Sequence, residues 1–326
     1  MSTQTGKRKK STAKKFMVAG AVAGTTYLVV GNALLEAFMA RPDLKRHKKD
    51  HYSVAPSDAA KYRQDPESIP SPEDWFFAFA EKTELVSLRG ETIYANIVRQ
   101  DAPAHKWAVC CHGYTSRPSH YAQRGWELHK MGFHVLFPSL RGHGDSDSRL
   151  ASMGWHDRLD VIDWITYILT LDPEAQILLY GVSMGAATVM MTTGETLPEN
   201  VKCAVEDCGF TSVWDEFRVQ FGKTAHLPAF PFLNAARTAG RLRLKYDFKE
   251  ASALKAVRRS KIPTLFMHGD KDDFVPFWML DVLYDNAVCP KEKVVIHGAD
   301  HAASHEVDPQ LYWSSVKRFV EKYITE

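Results

Sequence analysis

From Lys106 onward the sequence alternates between short apolar runs of strand length and segments with helical periodicity. The runs are "KWAVCCHG", "FHVLFP", "QILLYG", "VKCAVED", "IPTLFMHG" and "EKVVIHG". Helical patterns at "HYAQRGWELHKM", "WHDRLDVIDWITYIL", "MGAATVMMTTGE" and "WMLDVLYDNA" fall between them, and "DPQLYWSSVKRFVEKYI" follows the last. Runs that are apolar almost throughout suit strands buried on both faces, with the intervening helices as crossovers. The pattern predicts an α/β domain with a mostly parallel sheet covered by helices on both faces. Two earlier runs, "TELVSL" and "ETIYANIV", have no helix between them and predict an antiparallel start to an eight-stranded sheet. A short amphipathic helix is expected just before them at "PEDWFFAFAEK".

One interval is too long for a single crossover helix: about 50 residues separate "VKCAVED" from "IPTLFMHG". This insertion, about 211–258, carries Trp214, Phe217, Phe221, Leu227, Phe230, Phe232 and Leu233. A small helical lid with an apolar underside is expected, and a helix pair packed on the sheet edge is the alternative.

The N-terminus has a different composition. A basic tail, residues 1–15 with "KRKKSTAKK", leads into residues 16–40, where Glu36 is the only charge. That stretch exceeds the roughly 20 apolar residues a bilayer span needs. It is too long for a secretory h-region and lacks a clean small-residue cleavage site, so an uncleaved single-pass membrane anchor is favoured over a cleaved signal or a buried helix. Six basic residues before the stretch face five just after it, so the Lys/Arg bias barely sets an orientation. The short tail slightly favours an extracytoplasmic catalytic domain, whereas five cysteines without framework spacing suit a reducing compartment. Gly20 and Gly24 form a G-x-x-x-G pair that would let two anchors self-associate. Residues 41–70, polar and proline-containing, are expected to be a linker to a domain over 71–326. Residues 1–50 hold 11 Lys/Arg and 3 Asp/Glu, which leaves 30 and 36 for the remainder. The basic residues therefore read as flanks that meet anionic lipid, and nothing in the acidic domain suggests a nucleic-acid surface.

Gly181-Val182-Ser183-Met184-Gly185 fits G-x-S-x-G directly after an apolar run and before a small-residue helix. The pentapeptide alone is weak evidence, but strand before and helix after are what a nucleophile elbow requires. A serine hydroxyl needs a base and an acid to activate it. The next two strands end in "HGDKDDFVP" and "GADHAAS", and the carboxyl ends of parallel strands are where such groups gather. Asp270, Asp272 and Asp273 are candidate acids, and His297, His301 and His305 candidate bases.

Together with "CHGYTS" and "LRGHGDS", these motifs resemble the α/β-hydrolase superfamily over about residues 85–325, specifically its bacterial serine hydrolases with lipase, esterase and serine-aminopeptidase-like members. The resemblance implies Ser183 as nucleophile, Asp272 as the acid from G-x-x-D-x-x-V-P, and His301 as the base from G-x-x-H. It implies an oxyanion hole from the backbone N–H groups of Tyr114 and Met184. His112, Arg141 and His143 are expected to brace loops. Metal binding by His143 and Asp145 lacks further ligands at useful spacing. Cys110, Cys111 and Cys208 are expected to be packed thiols.

The implied chemistry is acyl transfer to water through an acyl-enzyme, with no metal or organic cofactor required. Tyr114, Trp214, Phe217 and Phe221 are expected to line a pocket for a small acyl substrate. Carboxylic ester hydrolysis is favoured, and a peptidase or thioesterase is second. A non-catalytic membrane-tethered binding module is the alternative of another class; it predicts an eroded triad.

Overall fold

The computed structural model describes residues 4–41, 69, 71–225 and 229–325, with side chains from residue 21 onward and not at 224–225. The linker expected over 41–70 lies almost wholly outside the described residues. In chain order the elements are α1 (Gln4–Met39), α2 (Pro72–Phe79), β1 (Glu81–Val86), β2 (Thr92–Val98), β3 (Lys106–Cys111), α3 (Ala122–Lys130), β4 (His134–Pro138), α4 (Asp157–Leu171), β5 (Gln176–Val182) and α5 (Met184–Thr193). They continue with β6 (Val201–Asp207), α6 (Val213–Gln220), α7 (Asn234–Arg243), α8 (Ala253–Val257), β7 (Thr264–Gly269), α9 (Trp278–Asn286), β8 (Lys291–Ile296), α10 (Ser304–Val307) and α11 (Pro309–Val320).

The eight strands form one sheet in the order β1-β2-β4-β3-β5-β6-β7-β8. β2 runs antiparallel to β1 and β4, and the pairs from β4 through β8 are parallel. Alternate residues of β5 explain its unbroken apolar sequence. Ile177 and Leu179 enter the core on one face, and Leu178, Tyr180 and Val182 enter the core on the other. From β3 the chain passes to β4 on one side and then to β5 on the other. That reversal opens a crevice at the carboxyl ends of β3 and β5, where ligands bind in open α/β sheets.

The insertion after β6 holds α6, α7 and α8, with a π-helical turn at Phe221–Ala225 and a segment kinked at Phe230, Ala229–Leu233, between α6 and α7. Ser212 and Ser252 cap α6 and α8 by accepting the N–H groups of Asp215 and Lys255. Phe217, Phe221, Leu233, Ala236 and Ala239 pack into the same core as the sheet, continuous with Leu35 and Met39 of α1.

α1 differs from the simple expectation in two ways. It starts at Gln4, so the basic segment belongs to the same helix as the apolar one. Ala21–Met39 is long and apolar enough to cross a membrane, a property shared by signal sequences. Yet its last turns pack on protein: Gly31, Leu35 and Met39 are buried, while Val22 and Val29 are exposed. The close approach is made by Gly31, where a Cβ would stand 2.2 Å from the carbonyl oxygen of Ala235 on α7. Gly24, of the G-x-x-x-G pair, has nothing within 4 Å of that position.

Candidate active site

Ser183 sits between β5 and α5 with φ 58 and ψ −119, a left-handed conformation that a non-glycine residue adopts only when its surroundings impose it. The two flanking glycines impose it by letting three backbone segments meet. A Cβ on Gly181 would lie 2.3 Å from the carbonyl oxygen of Gly185, and one on Gly185 would lie 2.1 Å from that of Cys111 on β3. The turn thus lifts the serine Oγ above the sheet edge, with the side chain 6% exposed.

Two strand-end loops meet it there. His301, after β8, has Nε2 2.9 Å from Ser183 Oγ and Nδ1 2.7 Å from Asp272 Oδ2, in the loop after β7. The structure therefore brings together the three residues singled out from the motifs. Oδ1 of Asp272 accepts the backbone N–H groups of Phe274 and Val275, each at 2.9 Å, which fixes the carboxylate plane. The competing residues lie elsewhere. Asp270 ties the exposed His297 and the Gly298 amide, and Asp273 is exposed and pairs with Lys223. His305 is buried, and burial holds its pKa down at about 3.

The histidine loop is anchored from below. Asp207, at the end of β6, accepts hydrogen bonds from Ser304 Oγ and Tyr312 OH, and Tyr312 OH pairs with Tyr180 OH at 2.6 Å. Arg124 donates to the carbonyl of Ala302 and lies over the Tyr121 ring. The Tyr121 OH in turn accepts the Gly113 amide at 2.8 Å, so one buried arginine joins the histidine loop to the loop after β3.

That loop carries Tyr114. His112 donates from Nδ1 to the Gly113 carbonyl and accepts the Leu140 amide on Nε2. His143 accepts the Thr115 amide and bonds the Arg141 carbonyl. Burial pulls the two imidazoles down to about 3 and about 4, so both are neutral braces. Met184 opens α5, where the first N–H groups of a helix have no partner within it. Tyr114 and Met184 both line the cavity beside Ser183.

The cavity has a volume of about 180 Å³ and a mainly apolar wall. Tyr114 and Phe217 are in that wall as expected, joined by Phe38, Met153, Phe210 and Phe274. Two expected residues are not among the lining side chains. Trp214 lies beneath Lys249 and Arg237, and Phe221 stacks behind Phe38 with ring centroids 4.9 Å apart. Phe274 lies inside the acid motif, at a position the motif leaves open, and its ring packs 4.8 Å from that of His301.

His268, at the end of β7, was not foreseen either. Its Nε2 is 3.0 Å from the Val275 carbonyl and 3.2 Å from Asp272 Oδ2, and the side chain is wholly buried. Burial opposes ionisation of both groups, but their mutual hydrogen bond prevails and, with the one from His301, holds the Asp272 carboxyl below its ordinary pKa. His268 is therefore a positioning residue for the acid. In His268→Gln the Asp272 carboxyl loses a charged neighbour and its pKa rises. The kcat should fall while KM, set by the apolar cavity wall, stays close to wild type, whereas a general defect of the fold would lower the thermal midpoint as well.

Among the described residues Cys208, Asp272 and His301 present donor atoms within 4.8 Å of one another. They do not fit a metal. Both nitrogens of His301 are engaged in the hydrogen bonds above, and burial raises the Cys208 thiol far above its ordinary pKa, away from the thiolate a metal needs.

Residues 107–230 match the alpha/beta hydrolase fold family. The Bacillus subtilis protein YqkD is 24% identical over 214 residues, 65% of this chain and 70% of its own length. The Arabidopsis thaliana alpha/beta hydrolase domain-containing protein WAV2 is 24% identical over 205 residues, 61% of this chain and 64% of its own length. Among solved structures, the Pyrococcus furiosus esterase Pf2001 superimposes with a TM-score of 0.63 at 21% identity, covering 85% of this chain and 98% of the esterase. The Pyrococcus horikoshii acylaminoacyl peptidase superimposes with a TM-score of 0.57 at 16% identity, covering 76% of this chain and 42% of the peptidase. These likenesses, with the sheet order and the crevice at its switch point, establish that the chain has the α/β-hydrolase fold.

Proposed function

We propose that this protein is a serine hydrolase that cleaves carboxylic esters of modest acyl length. The observation that carries the reading is the relay Asp272–His301–Ser183, at 2.7 and 2.9 Å, opening into an apolar cavity. His301 Nε2 takes the proton of Ser183 as Oγ attacks the ester carbonyl, and Asp272 stabilises the imidazolium. The amides of Tyr114 and Met184 receive the oxyanion. His301 then protonates the leaving alkoxide, and a water activated by the same nitrogen releases the acid. The esterase and peptidase among the structural neighbours agree with hydrolysis of an acyl bond.

The cavity wall favours an ester over a peptide with a free amine. Glu216 is the one carboxyl in that wall among the described residues. Its Oε1 accepts from Gln220, its Oε2 is buried without a partner, and burial pushes its pKa up to about 8. With Gln220 holding one oxygen and burial favouring the neutral acid, this carboxyl leaves the wall uncharged beside an acyl chain. Ionisation above pH 8 would place charge beside an apolar acyl chain. KM for acyl esters should rise above about pH 8, and Glu216→Gln should flatten that rise.

We further propose attachment to a membrane through α1, supported by the predominantly apolar 19-residue stretch Ala21–Met39. The reaction class is tested with p-nitrophenyl esters of increasing chain length beside a thioester and an aminoacyl anilide, using the full chain in detergent. Ester turnover without anilide turnover is expected. The reverse preference would move the protein to the peptidase reading, and a thioester preference to the thioesterase one.

A further inference from the structure

We propose that the end of α1 is a wall of the acyl site, so that the apolar N-terminal helix sets which acyl chains Ser183 accepts. This rests on the ester-hydrolase reading above. Phe38 lines the cavity together with Ser183, and its ring stacks on Phe221 and packs 6.4 Å from that of Phe217 on α6. The Phe38 carbonyl accepts a hydrogen bond from the Tyr114 OH. Tyr114 belongs to the loop that supplies an oxyanion amide, so the helix touches both the acyl cavity and the oxyanion loop.

The docking is built over several turns. Tyr27 meets Thr238, Gly31 meets the Ala235 backbone, and Leu35 and Met39 are 1% and 0% exposed. Glu36 reaches Arg149 at 2.8 Å and Arg243 at 2.7 Å. Beyond the helix end, the Ala151 amide donates to the Met39 carbonyl, and the Arg41 guanidinium donates to the carbonyls of Ser146 and Gly144. This is an apolar stripe closed by ion pairs and backbone hydrogen bonds, on both sides of the insertion and the loop after β4.

Docking also limits what α1 does in lipid. With the turns from Gly31 onward held by protein and Glu36 paired, residues 16–30 remain as the uncharged stretch. At about 1.5 Å per residue they reach about 22 Å, short of the ~30 Å hydrocarbon core. Docked α1 therefore falls short of a full span, and with Lys14 and Lys15 at the other end of the uncharged stretch it suits a membrane surface rather than the hydrocarbon core. The cavity's apolar wall and volume of about 180 Å³ suit a short acyl chain. The Phe38 ring occupies space into which a longer one would extend.

The test is the kcat/KM series for p-nitrophenyl esters from two to twelve acyl carbons, measured on the full chain as wild type, Phe38→Ala, Phe38→Trp and Gly31→Leu. Phe38→Ala should move the optimum to longer chains and raise the long-to-short ratio of kcat/KM at least about tenfold, the scale of one methylene in a hydrophobic pocket. Phe38→Trp should move it the other way. Gly31 lies outside the cavity, but its leucine would collide with the α7 backbone and force the helix off, so Gly31→Leu should shift the profile in the same direction as Phe38→Ala. Chain-length profiles superimposable on wild type in the two Phe38 variants would overturn the proposal, even if Gly31→Leu fails to fold. A wild-type protein that hydrolyses none of the esters would instead overturn the ester-hydrolase reading.

Discussion

Replacing Ser183 by alanine should lower kcat for ester hydrolysis by about 10⁶-fold, the scale seen when the nucleophile of a serine triad is removed. The fold should survive, because alanine keeps the Cβ that already occupies the left-handed turn and removes only the Oγ that faces the cavity. The turn itself is held by Gly181 and Gly185 and by the Ser183 amide, which donates to the Asp207 carbonyl at 2.8 Å. An unchanged thermal midpoint with activity near the uncatalysed rate is the expected pair of results. Substantial activity in the folded variant would place the chemistry on another residue.

Asp272→Asn should cost about 10⁴-fold in kcat, as acid-to-amide changes do in such triads. The Phe274 and Val275 amides both donate to Oδ1, so an asparagine would place its carbonyl oxygen there and turn its NH₂ toward His301. His301 Nδ1 would then have to accept, which puts the proton on Nε2 and leaves no base for Ser183. The same NH₂ would face the Nε2–H of His268, so some loss of stability should accompany the loss of rate. KM should change little, because Asp272 is not part of the cavity wall. Steady-state kinetics of Asp272→Asn beside Asp270→Asn and Asp273→Asn would check this, with the latter two close to wild type.

The parallel sheet and the three relay residues were legible because their signals are local. Strand-length apolar runs mark the sheet, and each relay residue sits in a short motif at a strand end, where the topology brings the ends together. Phe38 left no such signal. A helix with apolar side chains almost all round has the same composition whether lipid or protein covers it, and the buried positions Gly31, Leu35 and Met39 are flanked by equally apolar neighbours such as Val30 and Leu34. Only Glu36, a charge inside the stretch, distinguished docking from crossing, and its arginines lie far along the chain. Trp214 and Phe221 were assigned to the pocket on composition. Which aromatic of an insertion faces the cavity depends on the backbone between α6 and α7 and on α1, whose Phe38 lies between Phe221 and the cavity, and neither is encoded nearby. His268 reads in sequence as one more apolar-strand residue; its value comes from a loop that folds the acid back onto it.

The most direct measurement is labelling of the folded full-length protein with a fluorophosphonate probe, followed by mass spectrometry of the adduct. One phosphonyl group on Ser183, absent from Ser183→Ala and strongly slowed in Asp272→Asn, is the predicted result. An unlabelled wild type, or an adduct on another side chain, would contradict the assignment of Ser183 as an activated nucleophile.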